Sequence, residues 1–268
     1  MNAPGSRITA PPARGRLYLV PTPLDHGCDV QTPLDEVLPR ATLQRAAALT
    51  HWISENAKST RAFLKRVGEL QPLAQPIQAQ QITELPRAVH KKGDHQASAD
   101  WDARPLLAPA LQGHDLGLVS EAGMPAVADP GSSVVRAAHA LGVEVVPLVG
   151  PVSLLLTLAA SGLNGQQFAF VGYLPQESGA RSARIRELEG RARSSGQSQL
   201  FIETPYRNAA LLDALLRTLG PATRLAVCTG LTLPHARCTS LSVADWRRAD
   251  PALVAAAHDR PAVFAIGT

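Results

Sequence analysis

The chain has 268 residues, of which 45% are hydrophobic and 18% charged, and its net charge at pH 7 is +4. The hydrophobic fraction excludes a disordered protein, and the length fits two ordinary domains or one large α/β domain. The mild basic excess permits an anionic partner such as RNA without requiring one.

Signals for export, membrane insertion and metal binding are weak. No apolar stretch reaches the length of a membrane span, and residues 1–15 lack the apolar segment of a secretory signal. We therefore expect a flexible tail at 1–15 and no membrane partner. Cys28, Cys228 and Cys238 have neither paired nor metal-ligand spacing, so we expect a cytoplasmic protein without a bound metal.

The first part of the chain predicts strands that end in loops. The predicted elements there are strands at 16–22 and 51–53 and helices at 32–49, interrupted by Pro39, and at 57–67, ended by Gly68. Lys58, Arg61 and Lys65 are three to four residues apart and form one basic stripe on the second helix. Residues 91–100 have the composition of a mobile surface loop.

Residues 117–135 carry the clearest signal. Leu118 and Val119 predict a buried strand, a loop rich in Gly and Pro follows, and Ser132 is a predicted helix N-cap. In α/β proteins, ligands bind where strands run into such loops. Two carboxylates, Glu121 and Asp129, lie in a loop otherwise made of small residues, so we expect this loop to hold a cofactor.

The rest of the chain alternates strands and helices. The predicted elements are helices at 132–141, 154–161, 182–194, 209–219 and 251–258 and strands at 143–148, 168–174, 199–203, 224–228 and 261–266. This alternation predicts an α/β fold with mainly parallel sheets. We place a boundary near 148–150, which gives an N-terminal domain at 16–148 and a C-terminal domain at 149–268.

Several common sites are excluded by their motifs. The chain has no G-x-G-x-x-G after its first strand, no phosphate-binding G-x-x-x-x-G-K-[ST], no G-x-S-x-G elbow and no H-E-x-x-H. What remains is a set of loops that each follow a predicted strand and could converge on one cleft. These loops are Pro21–Pro23, Ser120–Gly131, Gly150–Ser153, Leu174-Pro175, Thr204–Arg207 and Thr229–Leu233.

Motifs in these loops resemble the tetrapyrrole methylase superfamily, in the branch that contains the bacterial small-subunit rRNA cytidine 2′-O-ribose methyltransferases. They are VPTPL at 20–24, VSEAGMPAVADPG at 119–131, GPVS at 150–153, SGLNGQQFAFVGYLP at 161–175, FIETPYRN at 201–208 and GLTLPH at 230–235. The resemblance covers roughly residues 16–268 and implies two α/β domains, S-adenosylmethionine bound in the cleft between them, and a homodimer.

The resemblance also implies which residues lie beside the cofactor. Pro21, Thr22 and Pro23 would lie beside the cofactor, with Gly150, Pro151 and Ser153 nearby. The residues around its methionine and ribose portions would be Glu121, Ala122, Gly123, Met124 and Pro125. Leu174, Pro205 and Leu231 would line the adenine side. Small residues let the backbone approach a ligand closely, and a carboxylate offsets the charge of a sulfonium.

This sequence departs from the rRNA enzymes mainly on the acceptor side. They usually carry Asp where this chain has Glu121 and Thr where it has Met124. Their E-D-T-R signature appears here as Glu55-Asn56-Ala57-Lys58. Their R-E-L-T-K segment corresponds to 229–233, which lacks both the Glu and the Lys. Methyl transfer is therefore better supported than an rRNA acceptor, as expected for a paralogue in that branch.

Three functions stay open at this point: an rRNA ribose methyltransferase, a methyltransferase acting on a small molecule such as a tetrapyrrole, and a catalytically silent protein that binds S-adenosylmethionine. A hydroxyl acceptor requires a general base, for which the candidates are Glu55, Glu121 and His235. A phosphate-bearing acceptor would be positioned by Lys58, Arg61 and Arg207.

Overall fold

The computed structural model describes residues 13–86, 101–250 and 260–268. The chain divides into two units by its internal contacts. Unit 1 contains the chain up to Thr22 together with Leu38–Gly150, and unit 2 contains Pro23–Val37 and Pro151–Thr268. The division after Gly150 lies close to the boundary placed from the sequence. That boundary, however, places the segment Pro23–Val37 in the N-terminal domain, whereas its contacts assign it to unit 2.

Unit 1 is built on a five-stranded sheet in the order β3-β2-β4-β1-β5, with every pair of neighbours parallel. Its strands are β1 Leu17–Leu19, β2 His51–Ser54, β3 Gln81–Glu84, β4 Leu116–Val119 and β5 Val145–Pro147. Its helices are α2 Arg40–Ala48, α3 Ala57–Leu70, α4 Ala108–Leu111 and α5 Ser132–Ala140. Short 3-10 turns lie at Ile77–Ala79 and Arg104–Leu107.

The central strands of unit 1 are buried along their length. All four residues of β4 are buried, as expected for a parallel strand covered on both faces. Leu17, Ile53 and Leu118 share one hydrophobic cluster with Val134 and Ala138 of α5. Burial of these apolar side chains fixes the sheet and therefore the position of the loops that leave its carboxyl edge.

Unit 2 is built on a second five-stranded sheet, in the order β6-β7-β10-β8-β9. Its strands are β6 Phe168–Tyr173, β7 Ser198–Glu203, β8 Arg224–Thr229, β9 Arg237–Ser242 and β10 Ala262–Gly267. Its helices are α1 Leu34–Val37, α6 Ser153–Ser161, α7 Ser178–Ser195, α8 Asn208–Thr218 and α9 Val243–Trp246, with a 3-10 turn at Pro205–Arg207.

The α/β class is confirmed, and the strand pairings of the described chain are mainly parallel as expected, but those within unit 2 are mostly antiparallel. Only β6 and β7 pair in parallel there, whereas β10 is antiparallel to both β7 and β8, and β9 is antiparallel to β8. The sequence pattern could not distinguish these cases, because buried strands have apolar runs whatever the direction of their neighbours.

The second sheet is covered on both faces. Phe201, Val227 and Phe264 lie in one cluster with residues of α7 and α8, while their strand neighbours Leu200, Ala226 and Val263 lie in another with residues of α6. Successive residues of a strand point to opposite faces, which explains this alternation.

Several element predictions need correction. Strands β3 and β9 and helix α9 were not predicted, because their residues are mostly polar or only partly buried. Helix α3 continues through Gly68 to Leu70, and the backbone N–H of Gln71 closes it by donating to the carbonyl oxygen of Val67. Ser132 is the first residue of α5 and not its cap; Gly131 precedes the helix with φ of 135°, a value that favours glycine. The predicted loop at 91–100 and helix at 251–258 lie outside the described residues.

The sheet also brings together two cysteines that are distant in sequence. Cys228 on β8 lies directly opposite Cys238 on β9 in the antiparallel ladder, and both are free thiols. Burial, followed by the hydrogen bond with Cys238, raises the pKa of Cys228 to about 12. The sequence spacing gave no indication of this pairing, since it depends on the unpredicted strand β9.

No helix in the described part of the chain combines the length and apolar character needed to cross a membrane.

Candidate active site

The predicted cofactor residues of unit 1 lie along the carboxyl edge of its parallel sheet. Strands β1, β2, β4 and β5 all point the same way, so the segments that follow them meet at one edge. These segments are 20–22, 55–56, 120–131 and 148–150. The edge of a parallel sheet beyond its strand ends is the usual ligand position in α/β proteins.

Backbone contacts fix three of these segments against one another. Thr22 and Gly123 form an antiparallel bridge in which each backbone N–H donates to the other residue's carbonyl oxygen, at 2.9 and 3.1 Å. Gly150 lies so close to Pro21 that a Cβ atom at position 150 would be 2.3 Å from the proline Cγ. The loops after β1, β4 and β5 are therefore held in one arrangement.

Asn56 joins the loop after β2 to the loop after β4. Its Oδ1 caps helix α3 by accepting from the backbone N–H of Lys58 at 2.9 Å, and its Nδ2 donates to Glu121 Oε1 at 2.8 Å. In return, the backbone N–H of Glu121 donates to Glu55 Oε2 at 3.2 Å. Glu55 and Glu121 are thus held side by side, although they are distant in sequence.

Asp129 is the third carboxylate on this edge. Burial, and then the charges of Glu55 and Glu121, raise the pKa of Asp129 from 3.8 to about 7. Burial is the larger cause and the two neighbouring carboxylates add to it, so a cation bound here would favour the ionised form of Asp129. We call Glu55, Glu121 and Asp129 the carboxylate cluster. In the described ranges, no three His, Cys, Asp or Glu side chains converge as ligands for a metal ion.

The loop after β4 also carries backbone strain and an unsatisfied polar group. Ala126 and Ala128 have φ of 65° and 64°, in the left-handed region that non-glycine residues seldom adopt. Ser120 is 4% exposed, and its hydroxyl has no hydrogen-bond partner within the described chain. Strain and orphaned polar atoms collect at ligand sites, where the ligand supplies the missing partner.

A basic stripe begins beside the carboxylate cluster. Helix α3 starts directly after Asn56, and Lys58, Arg61 and Lys65 are exposed on it as predicted. None of these three side chains forms an ion pair with another residue in 13–86, 101–250 or 260–268. Their charge is therefore available to an anion from outside the chain.

The other predicted site residues belong to unit 2. Pro23 and Pro151 are buried, Ser153 is the first residue of α6, and Leu174 packs in the larger core cluster of the unit. Pro205 follows β7 and Leu231 follows β8, at the same edge of the second sheet.

The two polar candidates of unit 2 have different surroundings. Arg207 forms an ion pair with the buried carboxylate of Glu203 at 2.7 Å, so a ligand would have to compete with that bond. His235 is exposed and lines a cavity described below. The described contacts bring Pro21, Thr22, Glu55, the residues at 121–125 and Gly150 together in unit 1, and Pro205 and His235 together in unit 2.

Sequence reasoning noted Asp129 but did not select it as a site residue, and it overlooked Ser120. Asp129 could have been recognised only from its burial next to Glu55, which requires the pairing of β2 with β4. The unsatisfied hydroxyl of Ser120 likewise has no signature in the sequence.

Known proteins resemble this chain over most of its length. The sequence model of the family described as Tetrapyrrole (Corrin/Porphyrin) Methylases matches residues 40–245. A solved structure, uroporphyrin-III-C-methyltransferase from Thermus thermophilus, superposes with a TM-score of 0.49 at 18% identity, covering 95% of this chain and 94% of that chain.

Three curated relatives are each named ribosomal RNA small subunit methyltransferase I. The Mesorhizobium japonicum protein is 32% identical over 228 residues, which cover 85% of this chain and 67% of the relative. The Escherichia coli protein is 30% identical over 82% of this chain and 66% of its own length. The Pseudomonas aeruginosa protein is 29% identical over 88% of this chain and 74% of its own length. The match thus spans about two thirds of the first two relatives. The chain belongs to the tetrapyrrole (corrin/porphyrin) methylase family.

Proposed function

We propose that this protein is an S-adenosylmethionine-dependent methyltransferase that methylates a ribose hydroxyl of small-subunit ribosomal RNA. The observation that carries the proposal is the carboxylate cluster on a strained loop at the carboxyl edge of the first sheet. Burial and two neighbouring carboxylates disfavour the ionised form of Asp129, and a cationic ligand would counteract this effect.

The residues present fit S-adenosylmethionine. When bound, the cofactor supplies a methyl group activated on a positively charged sulfur. Glu121, held by Asn56, and Asp129 would offset that charge, and the hydroxyl of Ser120 would gain a hydrogen-bond partner. The close packing of Gly150 on Pro21 keeps the floor of the site rigid, which favours positioning of the reactants.

The acceptor hydroxyl must lose its proton during methyl transfer, and a carboxylate on this edge is suited to receive it. Without a cofactor, the pKa of Asp129 is about 7, close to the range in which a general base works best, and a neighbouring sulfonium would lower it. Glu55 already accepts a hydrogen bond from the backbone N–H of Glu121, and Glu121 accepts one from Asn56. Glu55, Glu121 and His235 stay predicted candidates for the general base, and we add Asp129 as a fourth candidate.

An RNA acceptor is supported by the names of the relatives and by the basic stripe on α3. Lys58 and Arg61 lie within the first turns after the carboxylate cluster, where they can contact phosphates on either side of an acceptor ribose. Such contacts position the nucleic acid without reading its sequence.

The direct test is incubation of the protein with radiolabelled S-adenosylmethionine and either small-subunit rRNA or a metabolite extract. We expect label in the rRNA, on a ribose oxygen. Replacing both Lys58 and Arg61 with Gln should weaken rRNA binding and reduce its salt dependence, whereas Arg40→Gln, an exposed change on α2, should not. Label that enters neither fraction would contradict the proposal.

A separate measurement tests the cofactor site. Glu121→Gln should weaken binding of S-adenosylmethionine about tenfold, because the carboxylate charge is lost. Binding of S-adenosylhomocysteine, whose sulfur is uncharged, should change much less. Equal affinities of wild type and variant for S-adenosylmethionine by calorimetry would remove Glu121 from the site.

A small-molecule acceptor is the second candidate. It is favoured by the segment 229–233, which lacks the Glu and Lys of the rRNA enzymes it resembles. Label appearing only in the metabolite fraction of the same experiment would select this alternative.

We also propose that the protein is a homodimer. Strand β6 is at one end of its sheet, and it exposes Phe168 and Phe170 by 42% and 36% of their surface. An exposed edge strand with large apolar side chains favours association. Light scattering should give twice the mass of one chain, and Phe170→Glu should shift that mass toward the monomer.

A further inference from the structure

A cavity of about 490 Å³ lies within unit 2 and is lined by residues of that unit. Its walls are formed by residues 26–30, Pro205, residues 233–235 and residues 260–261. This volume is typical of pockets that bind small ligands or single groups of a larger one.

The sheet explains why these distant residues meet. Strands β7 and β8 end at the edge where the antiparallel strand β10 begins, since Ala262 is opposite both Glu203 and Thr229. The residues just after β7 and β8 and just before β10 therefore converge. The segment that contains 26–30 is fastened to this edge by a hydrogen bond from Thr32 Oγ1 to the carbonyl oxygen of Thr232, at 2.6 Å.

The loop after β8 is also strained. Thr232 has φ of 69°, and its hydroxyl is buried without a hydrogen-bond acceptor or donor among the described residues. The same loop continues to Leu233 and His235, which line the cavity. This strain resembles that of the loop after β4, which we assign to the cofactor.

The chemistry of the walls is divided. One part is apolar, formed by Val30, Leu233 and three prolines. The other part is polar and contains the Arg260 guanidinium and the imidazoles of His26 and His235. Asp29 contributes the one carboxylate among the described residues that line the cavity. Arg260 donates to the backbone carbonyl of His235 at 3.1 Å, and its own carbonyl accepts from Asn208 at 2.8 Å, so it is anchored at the rim.

The raised pKa of Cys28, the thiol in the cavity, disfavours it as a nucleophile. Burial, followed by the charges of Asp25 and Asp29, raises the pKa of Cys28, and the charge of Arg260 opposes this effect only in part. Since the thiolate is the nucleophile, covalent chemistry at Cys28 is disfavoured and binding is the better assignment.

We propose that this cavity binds one unpaired nucleotide of the acceptor RNA, with its base against the apolar wall and the imidazoles of His26 and His235 and its phosphate at Arg260. Proteins recognise unpaired RNA by stacking its bases on aromatic side chains, histidine included, and by pairing phosphates with arginine. The proposal rests on the proposed function. It adds a subsite next to Pro205, which the family resemblance places beside the adenine of the cofactor.

The test uses the full chain and a fluorescent single-stranded oligoribonucleotide. Arg260→Gln should weaken its binding about tenfold, the value of one charge-assisted contact, and should reduce the salt dependence. Val30→Glu, at a position 50% exposed and therefore tolerant of the change, should weaken binding at least as much by placing a negative charge in the cavity. The matched control is Arg186→Gln, an exposed arginine of α7, which should bind like wild type.

Calorimetry with S-adenosylmethionine separates this subsite from the cofactor site, since both cavity variants should retain wild-type cofactor affinity. A variant that loses cofactor affinity and keeps RNA affinity would overturn the proposal, as would unchanged RNA binding by both variants. If RNA binding depends on Arg260 but the wild type transfers no methyl group to rRNA, the subsite stands and the proposed function fails.

Discussion

We expect the substitution Asp129→Asn to stabilise unit 1 at pH 8 and to have little effect at pH 4. Below pH 3.8, Asp129 is protonated in both the folded and the unfolded chain. As the pH rises from there to about 7, the unfolded chain releases this proton while the folded chain retains it. The free energy of unfolding therefore falls with pH across this window and is constant above it.

The size of the effect follows from the two pKa values. Each pKa unit corresponds to about 1.4 kcal/mol, so a rise from 3.8 to about 7 lowers the free energy of unfolding at pH 8 by about 4 kcal/mol. This figure is an upper limit, because the side chain retains some contact with solvent. Asparagine resembles the protonated carboxyl in shape but cannot ionise. The variant should therefore gain up to this amount over wild type at pH 8 and almost nothing at pH 4.

Urea unfolding followed by tryptophan fluorescence can measure this gain in unit 1 alone. The chain has three tryptophans, and in a Trp246→Phe background the remaining two, Trp52 and Trp101, both belong to unit 1. Asp102→Asn is a control of opposite sign, because the hydrogen bond from Arg104 lowers the pKa of Asp102. Its loss should reduce stability at neutral pH. A stability gain for Asp129→Asn that is equal at pH 4 and pH 8 would refute the reasoning.

Three further predictions concern packing and capping. Asn56→Ala removes the cap of α3 and should lower the free energy of unfolding by about 1 kcal/mol, measured by urea titration, and it should also weaken S-adenosylmethionine binding. Gly150→Ala should lower the melting temperature, since the new methyl group would overlap the ring of Pro21 and overpacking costs about 1–3 kcal/mol; unchanged melting would show that the loop relaxes freely. Diamide should link Cys228 to Cys238 only slowly at neutral pH and faster at high pH, because opposed residues of antiparallel strands lie within the Cα distance of a disulfide but the raised pKa of Cys228 keeps its thiol protonated; peptide mass spectrometry without reduction measures the linked pair at each pH.

The sequence predicted the first sheet better than the second for a physical reason. The apolar residues Leu116–Val119 and Trp52-Ile53 indicate buried strands, and a helix between two strands is the usual connection of parallel neighbours. In unit 2, β8 and β10 have equally apolar runs. Strand β10, however, lies between β7 and β8 and runs antiparallel to both, which its own residues do not indicate. Such long-range pairing leaves no local pattern. The polar strand β9 shows the same limit, since it is only partly buried.

The candidate site shows a similar division. Glu121 could be selected from its loop, because a carboxylate among glycines and prolines after a strand is a recognisable pattern. The raised pKa of Asp129 depends on Glu55, a residue from another strand, so it follows only from the folded sheet. Arg260 could not be selected at all, because its partners at 26–30 and 233–235 are remote in sequence.

The early segment Pro23–Val37 has a consequence for how the protein is made. Its partners in unit 2 begin at Pro151, so during synthesis the segment leaves the ribosome long before they exist. At about 5–20 residues per second, the wait is on the order of ten seconds, long enough for the first sheet to form around its own strands. No single cut of the chain separates the units intact. A fragment starting at Pro151 would carry Arg260 and the strained turn at Thr232, yet it would lack one wall of the cavity and the hydroxyl of Thr32 that fastens it.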